Sequence, residues 1–190
     1  MEMDRYWLLT WTTYGSWLPG DRRGFVGRVR QEDGSRVVHN VLGTPIDRDV
    51  PTLQRAMRRS MKGTPIRLIQ AQATVVLTQF QETAVYRGWR LLAAAVMANH
   101  LHLATGVVGD PEPDRILHSF KAYASRALNK QWRRPVNGTW WTAPGSKRTL
   151  PDERAVDRAV RYVRNQEYSL VVWVAEDVDG GDFGGEEPGP

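Results

Sequence analysis

The 190-residue chain contains no cysteine. Disulfides, thiolate zinc sites and cysteine nucleophiles are therefore excluded, and the composition fits a reducing, cytoplasmic setting. No apolar run is long and clean enough to span a membrane. The longest, Leu91 to Val108, is interrupted by Asn99, His100 and His102. The opening MEMDRYWLL carries acids and lacks a signal-peptide pattern. No membrane association is expected. There is no internal repeat. The glycine-rich segment Gly15 to Arg30 lacks the GxxxxGK[ST] spacing of a phosphate-binding loop.

Acidic residues are unevenly spread. Six of the 21 acids (Glu176, Asp177, Asp179, Asp182, Glu186 and Glu187) fall in the last fifteen residues, which hold no base. Setting that tail aside raises the net charge of the remainder from +5 to +11. So basic a body favours a polyanionic partner, most plausibly nucleic acid. Eight tryptophans among many arginines could stack on unpaired bases, although most could equally fill a core. At 41% hydrophobic residues, the chain can build one domain with a real core.

Arg5 to Tyr14 is aromatic and β-branched and predicts a strand. A basic loop or insertion follows over about residues 15–62. Its arginines Arg22, Arg23, Arg28 and Arg30 are candidate phosphate contacts or simply solvated charge. Val37 to Val50 is ambiguous, and Pro51 to Lys62 has helical composition with Pro51 in its first turn. From Thr64 or Pro65 to about Tyr86, apolar residues three or four apart predict a longer helix. Trp89–Met97 and His100–Val107 read as two strands joined tightly through Ala98-Asn99. Asp114–Trp132 reads as a helix whose polar side carries Lys121, Arg126 and Lys130. A short strand is possible within Val136–Leu150. Asp152 opens a last helix to about Glu167, with Asp152 and Glu153 near its positive end. Residues 174–190 form an acidic tail, expected to be flexible and to compete weakly for the basic surface. The order suits an α+β domain, 1–173, with a ferredoxin-like (split βαβ) antiparallel sheet and helices packed on one face.

The densest chemistry lies in Met97-Ala98-Asn99-His100-Leu101-His102. On a strand, His100 and His102 share one face of the sheet. Two neutral imidazoles side by side suit a divalent metal but leave it under-coordinated. On the last helix, Tyr162 and Gln166 are four residues apart and would share a helix face. A glutamine oxygen could complete the metal site, with Tyr162 aimed at whatever the metal polarises. The competing tyrosine is Tyr123, on a basic helix, but its neighbour one turn on is Ala127, which ligates nothing. Asn99 is expected to do no more than shape the turn. His39 and His118 have no paired partner in sequence and read as structural or surface residues.

The order Met-x-Asn-His-hydrophobic-His, then Tyr-hydrophobic-x-x-Gln about sixty residues downstream, resembles the HUH single-tyrosine transposases. The start Trp11-Thr-Thr-Tyr-Gly-Ser-Trp-Leu-Pro-Gly-Asp and the closing Tyr162-Val-Arg-Asn-Gln-Glu resemble the REP-associated tyrosine transposase branch. The resemblance covers roughly residues 5 to 173. It implies a Mg²⁺- or Mn²⁺-dependent endonuclease and strand transferase acting on single-stranded or hairpin DNA. It further implies a 5′-phosphotyrosine intermediate on a C-terminal helix. By position, His100 and His102 match the metal-binding histidines, Tyr162 the nucleophile and Gln166 the third ligand. Many members of that branch carry Asn-Pro where this chain has Gln166-Glu167, and both amides offer an oxygen. Arg22, Arg23, Lys121 and Arg126 are the candidate DNA contacts. Either a monomer or a homodimer is compatible. Two other readings remain open: a domesticated hairpin-binding protein without cleavage, and a metal hydrolase of small substrates.

Overall fold

The computed structural model describes residues 3–21, 27–30, 36–39, 50–143 and 145–176, with 27–30 and 36–39 as backbone. Strand β1 spans Arg5–Thr12. Within the insertion, β2 (Gly27–Arg30) and β3 (Arg36–His39) pair antiparallel as a separate two-stranded ladder, so the basic segment is not loop throughout. Helix α1 is Pro51–Arg59, with Pro at its start. It stops three residues before the expected Lys62. Gly20, at φ +90°, lies so close to α1 that a Cβ there would strike the Val50 carbonyl and the Gln54 amide.

Helix α2 runs Gln70–Arg87, not from Thr64. The intervening residues are held extended. The Ile66 N–H donates to the Tyr14 carbonyl (2.9 Å), and the Leu68 N–H donates to the Ala98 carbonyl (2.7 Å). Those donors bind other parts of the chain, so a helix cannot claim them. The Gln72 side chain then accepts from the Ile69 N–H (3.1 Å), which starts the helix. Gly88 ends it at φ +66°, a left-handed cap that costs a glycine little.

The hairpin β4 (Arg90–Met97) and β5 (His100–Val107) turns through Ala98-Asn99 as expected. Helix α3 is Pro113–Gln131 and β6 is Ser146–Leu150. Helix α4 is Glu153–Arg164, and the Asp152 carboxylate accepts from the Ala155 N–H (2.7 Å) as its N-cap. A final strand, β7 (Ser169–Val174), was not anticipated.

The main sheet is antiparallel with order β6-β1-β5-β4-β7. The first four strands have the ferredoxin-like arrangement: two βαβ units, each with a strand of the other inserted between its own pair. Strand β7 extends that sheet by pairing with β4.

The α+β expectation therefore holds, with a correction to the layering. Helices α2 and α3 bury Val76, Phe80, Ile116 and Phe120 against Leu9, Trp11, Leu101 and Leu103 on one face. Helix α4 crosses the other face, where Val160 and Val163 meet Leu92, Ala93, Ala95 and Ala104. Small alanines on the strands let this third helix sit close. The near-continuous apolar run of β4 and β5 is the mark of a sheet covered on both sides.

The first core is organised around aromatic edges. Trp11 meets Phe80 at 5.5 Å and Trp141 at 6.3 Å, and Phe80 meets Phe120 at 5.6 Å. Trp11, Trp140 and Trp141 belong to this core, and Trp7, Trp89, Trp132 and Trp173 pack on it. Seven of the eight tryptophans are thus structural. None of the described helices is long and apolar enough to cross a membrane.

Candidate functional site

The even-numbered residues of β5 face α4. Register pairs Thr12 with His100 and Thr10 with His102 across β1 and β5. Both imidazoles therefore lie on one face, as the spacing predicted, with ring centroids 5.1 Å apart. Helix α4 brings Tyr162 to the same place. Its ring lies 5.0 Å from that of His102, and its hydroxyl is 3.4 Å from His102 Nε2. Sixty residues separate the two in sequence. Tyr162 is 48% exposed, whereas His102 is only 5% exposed. The site thus has a buried floor and an open phenol.

Each imidazole is oriented through its other nitrogen. His102 Nδ1 lies 2.7 Å from Thr10 Oγ1. His100 Nδ1 lies 2.8 Å from Asn99 Oδ1, an acceptor, so that nitrogen carries the proton. His100 is thereby set as the tautomer with its lone pair on Nε2. For His102, the tautomer that donates from Nδ1 to Thr10 places the Nε2 lone pair toward the Tyr162 hydroxyl. Burial, and to a lesser degree the neighbouring His100, lowers the His102 pKa to about 4. His102 is accordingly neutral at pH 7, the state in which an imidazole ligates metal. Thr10 went unnoticed in the sequence, and Asn99 does more than shape the turn. The signal for Thr10 lies in register, which a single sequence does not display.

Among the described residues, no group of three or more His, Cys, Asp or Glu side chains converges. Among those residues, a third protein ligand would be a neutral donor. The donor set fits a divalent ion in part: two imidazoles side by side on one face of the sheet, with ring centroids 5.1 Å apart. Gln166 is placed differently from its helical expectation. Helix α4 ends at Arg164 with Asn165 as C-cap. Gln166 lies beyond it, and its Nε2 donates to the Tyr162 carbonyl at 2.9 Å. The amide therefore ties the end of the helix to the residue that carries the phenol.

The candidate DNA contacts separate. Arg22 and Arg23 lie outside the described residues, as does most of the acidic tail. Lys121 does not face solvent. It is 9% exposed, and its ammonium donates to the carbonyls of Thr142 (2.8 Å) and Ala143 (3.1 Å). It clamps the segment before β6 onto α3, because a buried ammonium must find acceptors. Arg126 is exposed on α3, with its guanidinium 5.0 Å from the Tyr123 ring. It lies on the sheet face opposite the histidines. Tyr123 itself packs against Tyr86 at 5.9 Å, remote from His102.

No family model matches the chain, and no curated protein sequence matches it. Among solved structures it is similar to a REP-associated tyrosine transposase bound to a REP hairpin, at 10% identity and a TM-score of 0.46. That likeness covers 86% of this chain and 66% of the transposase, so the chain spans just under two-thirds of its length. A protein designated a transposase from Deinococcus radiodurans R1 is also similar, at 14% identity and a TM-score of 0.41. There, 87% of this chain and 93% of the other are covered.

Proposed function

We propose that the protein is a metal-dependent nicking and rejoining enzyme for single-stranded DNA at or near hairpins, with Tyr162 as its nucleophile. The observation that carries this reading is the convergence of Tyr162 on His102 Nε2 at 3.4 Å, from an element sixty residues away. The basic body supports a polyanionic substrate.

His100 and His102 would hold Mg²⁺ or Mn²⁺ through Nε2, with the Gln166 oxygen as the candidate third donor. When bound, the ion withdraws charge from a phosphodiester and makes its phosphorus more electrophilic. The half-exposed phenol of Tyr162 can be approached by a strand from solvent. Its oxygen attacks the phosphorus, the bond to the 3′ oxygen breaks, the phenol proton leaves to solvent, and the departing 3′ oxygen takes up a proton from solvent. The products are a 5′-phosphotyrosine and a free 3′-OH. Phosphodiester energy is kept in the covalent link, so rejoining needs no nucleotide cofactor. Thr10 and Asn99 keep the two rings oriented throughout.

The test is to incubate wild-type and Tyr162→Phe protein with Mn²⁺ and labelled hairpin DNA bearing single-stranded flanks. A denaturation-resistant protein–DNA adduct is expected only with the wild type. Absence of an adduct in the wild type, or its persistence in Tyr162→Phe, would overturn the proposal.

A further inference from the structure

The turn between α4 and β7 contains a residue with no structural reason for its identity. Tyr168 has φ +58° and is the one non-glycine residue with positive φ among those described. For a bulky side chain this conformation costs about 1–2 kcal/mol relative to glycine, because Cβ crowds the carbonyl. Glycine or asparagine would fill the position more cheaply. Nothing offsets the cost within the fold. Tyr168 is 90% exposed, and its ring makes no hydrogen bond or aromatic contact with any described residue. The turn itself is held by another side chain, since Ser169 Oγ donates to the Gln166 carbonyl at 2.7 Å.

Its location is specific. Tyr168 follows Tyr162 by six residues and directly precedes Ser169. Ser169 pairs with Met97, just before the turn into His100. The exposed ring therefore stands at the end of the sheet where the histidine strand begins. Arg158 and Arg161 are exposed on α4 beside Tyr162 and form no ion pair among the described residues. A strand whose phosphate reaches Tyr162 thus has unpaired guanidiniums along α4 for its neighbouring phosphates. At the end of that helix it meets an aromatic plane presented to solvent. Seven of the eight tryptophans pack in or on the core, and only Trp17 among them is exposed.

We propose that Tyr168 is a base-stacking platform that positions single-stranded DNA for attack by Tyr162, with Arg158 and Arg161 holding the adjoining phosphates. This rests on the reading of the Tyr162 site as one that acts on single-stranded DNA. The ring is strained and exposed because its partner is a base of the substrate. Stacking of this kind is sequence-tolerant, so Tyr168 sets the depth and register of the strand and leaves the choice of base to other contacts.

The test uses the full chain carrying Tyr162→Phe, so that binding is read without chemistry. Hairpin DNAs bear 2-aminopurine, a fluorescent base quenched by stacking, at successive positions of the single-stranded flank. One position should be quenched on binding. Adding Tyr168→Asn should remove that quenching and weaken binding about ten-fold, while Tyr168→Phe should restore both. The Asn variant should melt at the same temperature or higher, since it relieves strain. Undiminished quenching and affinity in the Asn variant would overturn the proposal, as would a lower melting temperature. Failure of the Tyr162→Phe parent to bind DNA at low salt would overturn both this proposal and the functional reading. If the stacking results hold but the wild type forms no adduct, the nucleophile assignment fails and the platform stands.

Discussion

Removing one oxygen from β1 should weaken binding of a metal that Thr10 would not itself ligate. The perturbation is Thr10→Val, which keeps the shape of the side chain and deletes the hydroxyl lying 2.7 Å from His102 Nδ1. His102 is 5% exposed, so water cannot readily replace that partner. An unpartnered buried ring nitrogen costs about 1–3 kcal/mol. The ring can relieve it by moving its proton to Nε2, which destroys the lone pair that a metal needs. Loss of such an orienting partner lowers metal affinity about 10–100-fold, or roughly 1.4–2.7 kcal/mol. Thr10→Ser, which keeps the oxygen, should bind within about two-fold of wild type on the same physical ground. The assay is titration of the purified protein with Mn²⁺, following free Mn²⁺ by electron paramagnetic resonance. Circular dichroism and thermal melting check that the variant is folded. Asn99→Ala should have a smaller effect, since His100 is only partly buried and water can take up its Nδ1 proton. A folded Thr10→Val protein that binds Mn²⁺ as tightly as wild type would refute the reasoning.

Lys121 supplies a prediction about pH. Burial and the nearby Lys147, opposed by Asp114, together hold its pKa down at about 8. An unfolded lysine keeps its proton until about 10.4. Between about pH 8 and 10.4 the unfolded chain therefore binds more protons than the folded one, and stability should rise with pH. Denaturant midpoints measured across that window should show the rise in wild type and a flatter profile in Lys121→Met; parallel profiles would contradict the assignment. Phe80 is fully buried between Trp11 and Phe120. Phe80→Ala should cost about 3–5 kcal/mol in urea unfolding. A loss below about 1 kcal/mol would mean the core closes over the gap. Tyr123→Phe should leave adduct formation intact, because Tyr123 faces Tyr86 and Arg126 and not the histidines. Loss of the adduct in that variant would place the nucleophile on the wrong helix.

Much of the site was legible because it is written in local spacing. A period of two places His100 and His102 on one face of any extended strand, and the Ala98-Asn99 connection sets where that strand begins. The Asp152 cap and the apolar positions Val156, Val160 and Val163 announce α4 and the burial of its inner face. Other features depended on partners distant in sequence. Thr64 to Ile69 has helical composition, but its amides are claimed by Tyr14 and Ala98. Lys121 has the pattern of a surface cation, yet the segment around Thr142 folds over it and supplies two carbonyls. Strand β7 was obscured by the acidic stretch that follows it, and it is defined by pairing with β4.

By itself the sequence determined the histidine pair, the candidate phenol, the basic body and the alternation of elements that makes an α+β sheet. These follow from periodicity, composition and capping, which act over a few residues. Tertiary structure alone decided that α4 lies on the histidine face and that Thr10 sits beside His102. It also decided that Gln166 turns back to the Tyr162 carbonyl, and that Tyr168 stands exposed in a strained turn. The physical reason is that strand register and helix docking are settled by which buried surfaces fit together across the whole chain. Only that fit brings a hydroxyl from residue 162 to within 3.4 Å of a ring at residue 102.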